Sequence, residues 1–214
     1  MSKDDLKRKN PRIKDFSLSN VCFVPAQSSL EMSVINLSTT GMALLQGSQE
    51  VKVLKDDLLS GNLIVEDEKI PVVLTVVRVN SDFIGCKFEK GLDLIEHSLK
   101  SNFAIELKAL QLTNVTSKIL AAQKDGTPRW FFDGGLCELY FVENENLIKR
   151  YRLSFQGHSL EGGESKRPEY IGAGLSGKLT HEIAEKLKRF IENIEGLANE
   201  HKDYFENEIR RLEF

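Results

Sequence analysis

The sequence predicts an α+β protein: a small antiparallel β-barrel, a linking helix, and a second domain of antiparallel sheet and helix. Three observations carry that expectation. Short strand-like runs, separated by Gly, Asn, Asp or Ser, fill residues 20–90. The apolar pattern switches to helical spacing at Gly91. A second group of strand-like runs begins after residue 128, and an amphipathic pattern closes the chain from Thr180.

Each element follows from its pattern. Runs near 21–24, 30–37, 42–46, 51–54, 61–66, 69–79 and 83–89 read as strands. Leu30, Met32 and Val34 alternate with Glu31 and Ser33, the period of a half-buried strand. In 69–79 both Val72, Leu74 and Val76 and their neighbours Val73 and Val77 are apolar, so this strand is expected to be covered on both faces. Ile95, Leu99, Phe103, Leu107 and Leu110 then recur at helical spacing, a signal that fades towards Ala122. The segments "RWFFDGG", "LCELYFV" and "LIKRYRLSFQG" read as strands, with Glu143–Asn146 as a hairpin loop. Residues 157–178, rich in Gly and charge, read as a mobile loop. Thr180 is placed to cap a helix whose stripe is Ile183, Leu187, Phe190, Ile191, Ile194 and Leu197, with Gly196 as a break. The division expected is 1–100, 101–124 for the linking helix, and 125–214.

Composition sets bounds on function. Of 214 residues, 41% are hydrophobic and 29% charged, enough for a packed core. A net charge of −3 argues against a protein that coats nucleic acid. The longest apolar run, "PVVLTVV", is far shorter than the ~20 residues that span a bilayer, so no membrane insertion is expected. The N-terminus lacks the apolar segment of a signal peptide, and Cys22, Cys86 and Cys137 stand far apart in apolar contexts. Reduced thiols in a cytoplasmic protein are the expectation.

Two short segments carry candidate chemistry. In "NLSTTG", Asn36 and Ser38 are two residues apart, so on a strand they share a face, and Gly41 permits the positive φ of a tight turn. Their amide and hydroxyl offer donors and acceptors to a heterocycle edge, or alternatively satisfy the backbone of a turn. Upstream, Arg8 and Arg12 lie four apart in a small basic island that also holds Lys3, Lys7, Lys9 and Lys14. Arginine's planar fork pairs with phosphate oxygens or with the O6/N7 edge of guanine, which lysine's point charge cannot do. The alternative is a solvated basic tail.

The R-x-x-x-R of Arg8 and Arg12, with Pro11 before the second arginine, and the N-x-S-x-x-G of Asn36, Ser38 and Gly41 resemble the two signatures of PilZ domains, bacterial β-barrel receptors for cyclic di-GMP. The 24-residue step from Arg12 to Asn36 suits that family, and "FIGCKFE" looks like its closing strand. The resemblance covers about residues 5–100. It implies that Arg8 and Arg12 grip guanine edges and phosphates, that Asn36 and Ser38 contact a guanine from the barrel, and that Gly41 shapes the turn. The family often has Asp where Asn36 stands, a stronger acceptor. The implied mechanism is ordering of a basic arm over the barrel, with cyclic di-GMP as ligand and neither cofactor, metal nor catalysis. The alternative is a PilZ-like adaptor that acts through protein contacts without a ligand.

Two further motifs fail on inspection. "GAGLSGKLT" nearly matches a phosphate loop, but Leu179 stands where Mg²⁺ needs a hydroxyl ligand. "GHSLEGG" has Glu161 where a nucleophile elbow needs glycine. Beyond residue 125 no family is evident. The aromatics between Trp130 and Phe155 read as a core or as an exposed face for a protein partner. The C-terminal stripe either docks on the sheet or pairs between subunits of a homo-oligomer.

Overall fold

The computed structural model describes residues 11–14, 16, 20–28, 30–46, 53–116, 124–172 and 175–213. They divide between two compact units, one ending at Leu107 and the other starting at Lys108.

In the first unit, six antiparallel strands close into a barrel: β1 (Val21–Pro25), β2 (Met32–Ser38), β3 (Gly41–Leu45), β4 (Leu58–Val65), β5 (Glu68–Val79) and β6 (Phe83–Lys90). Their order around the barrel is β1-β2-β3-β6-β5-β4, so no strand edge is left between β1 and β4. Phe23, Leu44, Leu63, Leu74 and Val76 are fully buried inside. β5 is long enough to pair with β4 along its first part and β6 along its second, with irregularities at Val73/Leu74 and Val76/Arg78 that help it curl.

Strand β2 breaks simple alternation in a way that matters later. Val34 and Leu37 are both buried although three residues apart. A bulge reconciles them: Val34 faces Leu44 and Asn36 faces Ala43, leaving Ile35 as the extra residue. Past the bulge, Leu37 points into the core, and its neighbours Asn36 and Ser38 lie on the opposite face.

The double-sided covering expected for 69–79 is not found. Val72, Leu74 and Val76 are buried, whereas Val77 is 46% exposed and Val73 half-buried. A barrel of this size buries only its inner face. Of the run 51–54, Val53 and Leu54 form no strand, and residues 51 and 52 lie outside the described set.

The single helix expected to link the domains is two short ones. α1 (Leu92–Asn102) starts at Gly91, whose φ of +91° few side chains tolerate and whose carbonyl accepts from Ile95 N–H at 3.0 Å. It stops at Phe103, and α2 (Ala104–Gln111) ends before strand β7 (Thr113–Asn114). Thr113 and Asn114 pair with Phe132 and Phe131, so a sheet partner outweighs the weak helical signal there. Residues 117–123 lie outside the described set.

The second unit is a seven-stranded antiparallel meander in sequence order: β7, β8 (Thr127–Phe132), β9 (Glu138–Asn144), β10 (Leu147–Phe155), β11 (His158–Gly163), β12 (Lys166–Gly172) and β13 (Leu175–Ser176). The expected hairpin is present: Glu145 and Asn146 both have positive φ, at +50° and +64°, the mirror-image turn that matches strand twist. The segment 157–178, expected to be a mobile loop, instead supplies β11, β12 and β13. Leu160 and Tyr170 are buried and paired across the two strands, while Glu161 and Glu169 pair on the other face. One buried apolar side chain per strand is too sparse a pattern to recognise from sequence.

Helices α3 (His181–Glu192) and α4 (Asn199–Arg210) cover one face of this sheet. Thr180 caps α3 as expected, its Oγ1 accepting from Ile183 N–H at 3.4 Å. The C-terminal helical stretch is divided where Gly196, with φ of +82°, was expected to interrupt it. Phe155 meets Phe190 at 4.7 Å between ring centres, and Phe205 packs on Phe141 and Tyr151 at 5.6 and 5.3 Å. The buried Glu208 carboxylate accepts from Tyr151 Oη at 3.0 Å and pairs with Arg211.

Candidate functional site

The basic segment is fastened to the barrel at one residue. Ile13 N–H donates to Leu37 C=O at 2.9 Å, and Leu37 N–H donates back to Ile13 C=O at 3.0 Å. β1 pairs with β2 only at Ser33 and Met32, so the far half of β2 has a free edge, and Ile13 takes it. The side chain of Ile13 is 1% exposed and that of Leu37 is fully buried. Arg12 and Lys14, on either side of Ile13, are exposed. A little further on, Phe16 meets the buried Phe103 edge-to-face at 5.7 Å. The base of the arm is thus pinned twice, and Arg12 is held beside the Asn36–Ser38 segment. Arg8 lies outside the described residues.

Asn36 has an unmet need. Its Oδ1 is buried and has no hydrogen-bond partner among the described residues. A buried acceptor without a donor costs about 1–3 kcal/mol, and most such atoms in folded proteins are satisfied. An N–H donor from a bound molecule would meet it.

Ser38 is engaged locally. It is 2% exposed, its Oγ donates to Gly41 C=O at 3.0 Å, and it accepts from Thr40 N–H at 3.4 Å. It clasps the turn from β2 to β3. Gly41 is required for a reason other than the positive φ expected of it. Its φ is not positive; instead a Cβ there would stand 2.2 Å from the Cys86 carbonyl oxygen on β6. The glycine permits strands β3 and β6 to approach closely.

Sequence reasoning missed Ile13. Its signal is an apolar β-branched residue between two cations in "RIK", the pattern of one strand residue facing a core.

Other candidate chemistry is structurally accounted for. The Gly177 N–H of the phosphate-loop lookalike donates to Tyr170 C=O, so it extends the sheet. His158 stacks on Tyr170 and its Nδ1 lies 2.7 Å from Tyr170 Oη, while Ser159 Oγ shares a hydrogen with Ser154 Oγ. The donor atoms of His181, Glu185 and Glu213 fall within 4.8 Å of one another. Lys188 Nζ already lies among them, 2.9 Å from Glu185 and 3.3 Å from Glu213, and offsets part of their charge. All three cysteines are buried and unpaired, and burial raises the Cys86 thiol to about 11.

The aromatics of the second unit split between the two faces. Phe131, Phe141, Tyr151 and Phe155 are core, whereas Trp130, Phe132 and Tyr140 are half-buried on the face away from α3 and α4. Trp130 stacks on Phe132 at 5.2 Å, and its Nε1–H donates to Glu138 at 3.2 Å.

In the first unit a closed six-stranded antiparallel barrel thus holds the Arg12–Lys14 segment latched beside a turn of the N-x-S-x-x-G type. Compared with known families, residues 6–105 match the PilZ domain. No curated protein matches the chain. Among solved structures, an uncharacterized protein of Legionella is 17% identical over 45% of this chain and 97% of its own, with a TM-score of 0.36, a likeness too slight to bear on function. No helix among the described residues is long and apolar enough to cross a membrane.

Proposed function

We propose that this protein is a non-enzymatic cytoplasmic receptor for cyclic di-GMP. Arg8 and Arg12 would grip phosphate oxygens and guanine edges, with Asn36 receiving a guanine N–H, Ser38 holding the turn, and Gly41 keeping β3 against β6. The single observation that carries this reading is the latch of Ile13 on Leu37. The antiparallel register brings Arg12 opposite Ser38 and Lys14 opposite Asn36, whose buried Oδ1 lacks a donor among the described residues. Guanine presents N1–H and N2–H on one edge, and Arg12 supplies the charge-assisted contacts that a dianionic ligand favours.

The second unit would pass the bound state to a protein partner. Calorimetric titration with cyclic di-GMP tests the reading. Binding that falls by about 10–100-fold in Arg8→Ala and Arg12→Ala supports it, the loss expected from one charged hydrogen-bonding group. A folded wild-type protein that gives no heat at micromolar ligand overturns it in favour of the ligand-free adaptor.

A further inference from the structure

We infer that Arg78 is a specificity-determining residue of the same site, reading the O6/N7 edge of a guanine whose N–H edge meets Asn36; this rests on the cyclic di-GMP reading above. The inference comes from the register of four neighbouring strands. Asn36 on β2 faces Ala43 on β3, Ala43 faces Gly85 on β6, and Gly85 faces Arg78 on β5. The next row along the strands, Leu37, Met42, Cys86 and Val76, is buried in the barrel core. Because side chains alternate, the row of Asn36 and Arg78 faces away from that core.

Between these two polar residues the floor is low. Ala43, buried in the free protein at 5% exposure, contributes only a methyl group, and Gly85 contributes no side chain at all. Asn36 and Arg78 are separated by three strand spacings, about 14 Å, a gap that one flat purine and two side chains can fill. One border carries an acceptor that lacks a donor. The other carries an exposed guanidinium that has no carboxylate partner among the described residues and rests over the Phe83 ring at 5.4 Å.

Acceptor and fork match two adjoining edges of one base. Guanine donates from N1 and N2 and accepts at O6 and N7, the pair that arginine reads bidentately. Adenine offers an N6–H₂ donor where guanine has O6, so Arg78 would meet a donor with a donor. The row therefore selects guanine over adenine.

Titration of the full chain with cyclic di-GMP and with cyclic di-AMP tests this, using wild type, Arg78→Ala, Arg78→Lys and Gly85→Leu. Arg78 is exposed, and a Cβ on Gly85 would meet nothing closer than 3.5 Å, so the variants are expected to fold, as checked by circular dichroism. The expected result is about tenfold weaker cyclic di-GMP binding in Arg78→Ala and Arg78→Lys, with reduced discrimination against cyclic di-AMP. Gly85→Leu, which fills the floor, should be at least as weak. Wild-type affinity and selectivity in Arg78→Ala, with binding still lost in Arg12→Ala, overturns this inference and leaves the receptor reading standing. A wild-type protein that binds no cyclic di-GMP overturns both.

Discussion

Ile13 and Leu37 exchange both of their backbone hydrogen bonds, at 2.9 and 3.0 Å, and bury both side chains in the barrel core. A single residue thereby converts a basic tail into a segment with a fixed base. Truncating a buried Ile costs about 2–5 kcal/mol. Ile13→Ala is expected to lower stability towards the bottom of that range, because the arm sits at a strand edge and can relax. It should also weaken cyclic di-GMP binding about tenfold by releasing Arg12. Urea unfolding and calorimetry on the same samples check both; unchanged affinity in a destabilised protein would separate the latch from the site.

Asn36 sets stability against function. Its buried Oδ1 has no partner among the described residues. Asn36→Leu replaces the amide with an apolar group of similar size and removes that penalty, so the free protein is expected to gain about 1 kcal/mol. Nucleotide binding should be lost in the same variant. Asn36→Asp, which places a stronger acceptor there, should bind cyclic di-GMP more tightly than wild type.

Two glycines on adjoining strands should respond oppositely to alanine. At Gly41 the new Cβ would stand 2.2 Å from the Cys86 carbonyl oxygen, and a backbone atom cannot move aside cheaply. Gly41→Ala is expected to cost about 3 kcal/mol, the upper end of ordinary overpacking. At Gly85 the closest neighbour, Arg78 Cβ, is at 3.5 Å, an ordinary contact. Gly85→Ala should change stability by less than about 1 kcal/mol, since alanine also lowers the entropy of the unfolded strand. Thermal unfolding of the pair decides the matter.

Cys86 gives the barrel a pH dependence with a definite sign. Burial raises its thiol from 9.0 to about 11, so the folded state holds the proton more tightly than the unfolded chain. The resulting stability is fully present below pH 9 and is lost as pH rises from 9 to 11, where the unfolded thiol ionises first. Cys86→Ala should flatten the fall of unfolding free energy across that window. A slope unchanged by the substitution would assign the effect to other groups.

The barrel was legible because its strands are short, bounded by turn residues and alternating, and because two spaced motifs sit on it. The reason for Gly41 was not, since the carbonyl it accommodates belongs to Cys86, far away in sequence. Ile35 as a bulge residue was equally hidden: only the pairing with β3 shows that Val34 and Leu37 share the core. In the second unit, β11 and β12 were obscured by a solvated face of Glu161, Lys166 and Glu169, where Lys166 pairs with Glu169 on its own strand and with Glu161 across to β11. The end of the helical signal after Gln111 depended on β8 offering Thr113 and Asn114 a partner. Local pattern reveals elements; what crosses between them had to be seen in three dimensions.

The measurement closest to the central claim is hydrogen–deuterium exchange at the Ile13 and Leu37 amides, with and without saturating cyclic di-GMP. If the nucleotide is held between the arm and β2, it stabilises the closed latch, and both amides should exchange at least about tenfold more slowly when it is bound. Cyclic di-GMP bound by the protein, with Ile13 and Leu37 exchanging at the ligand-free rate, would contradict the enclosure of the ligand by the arm.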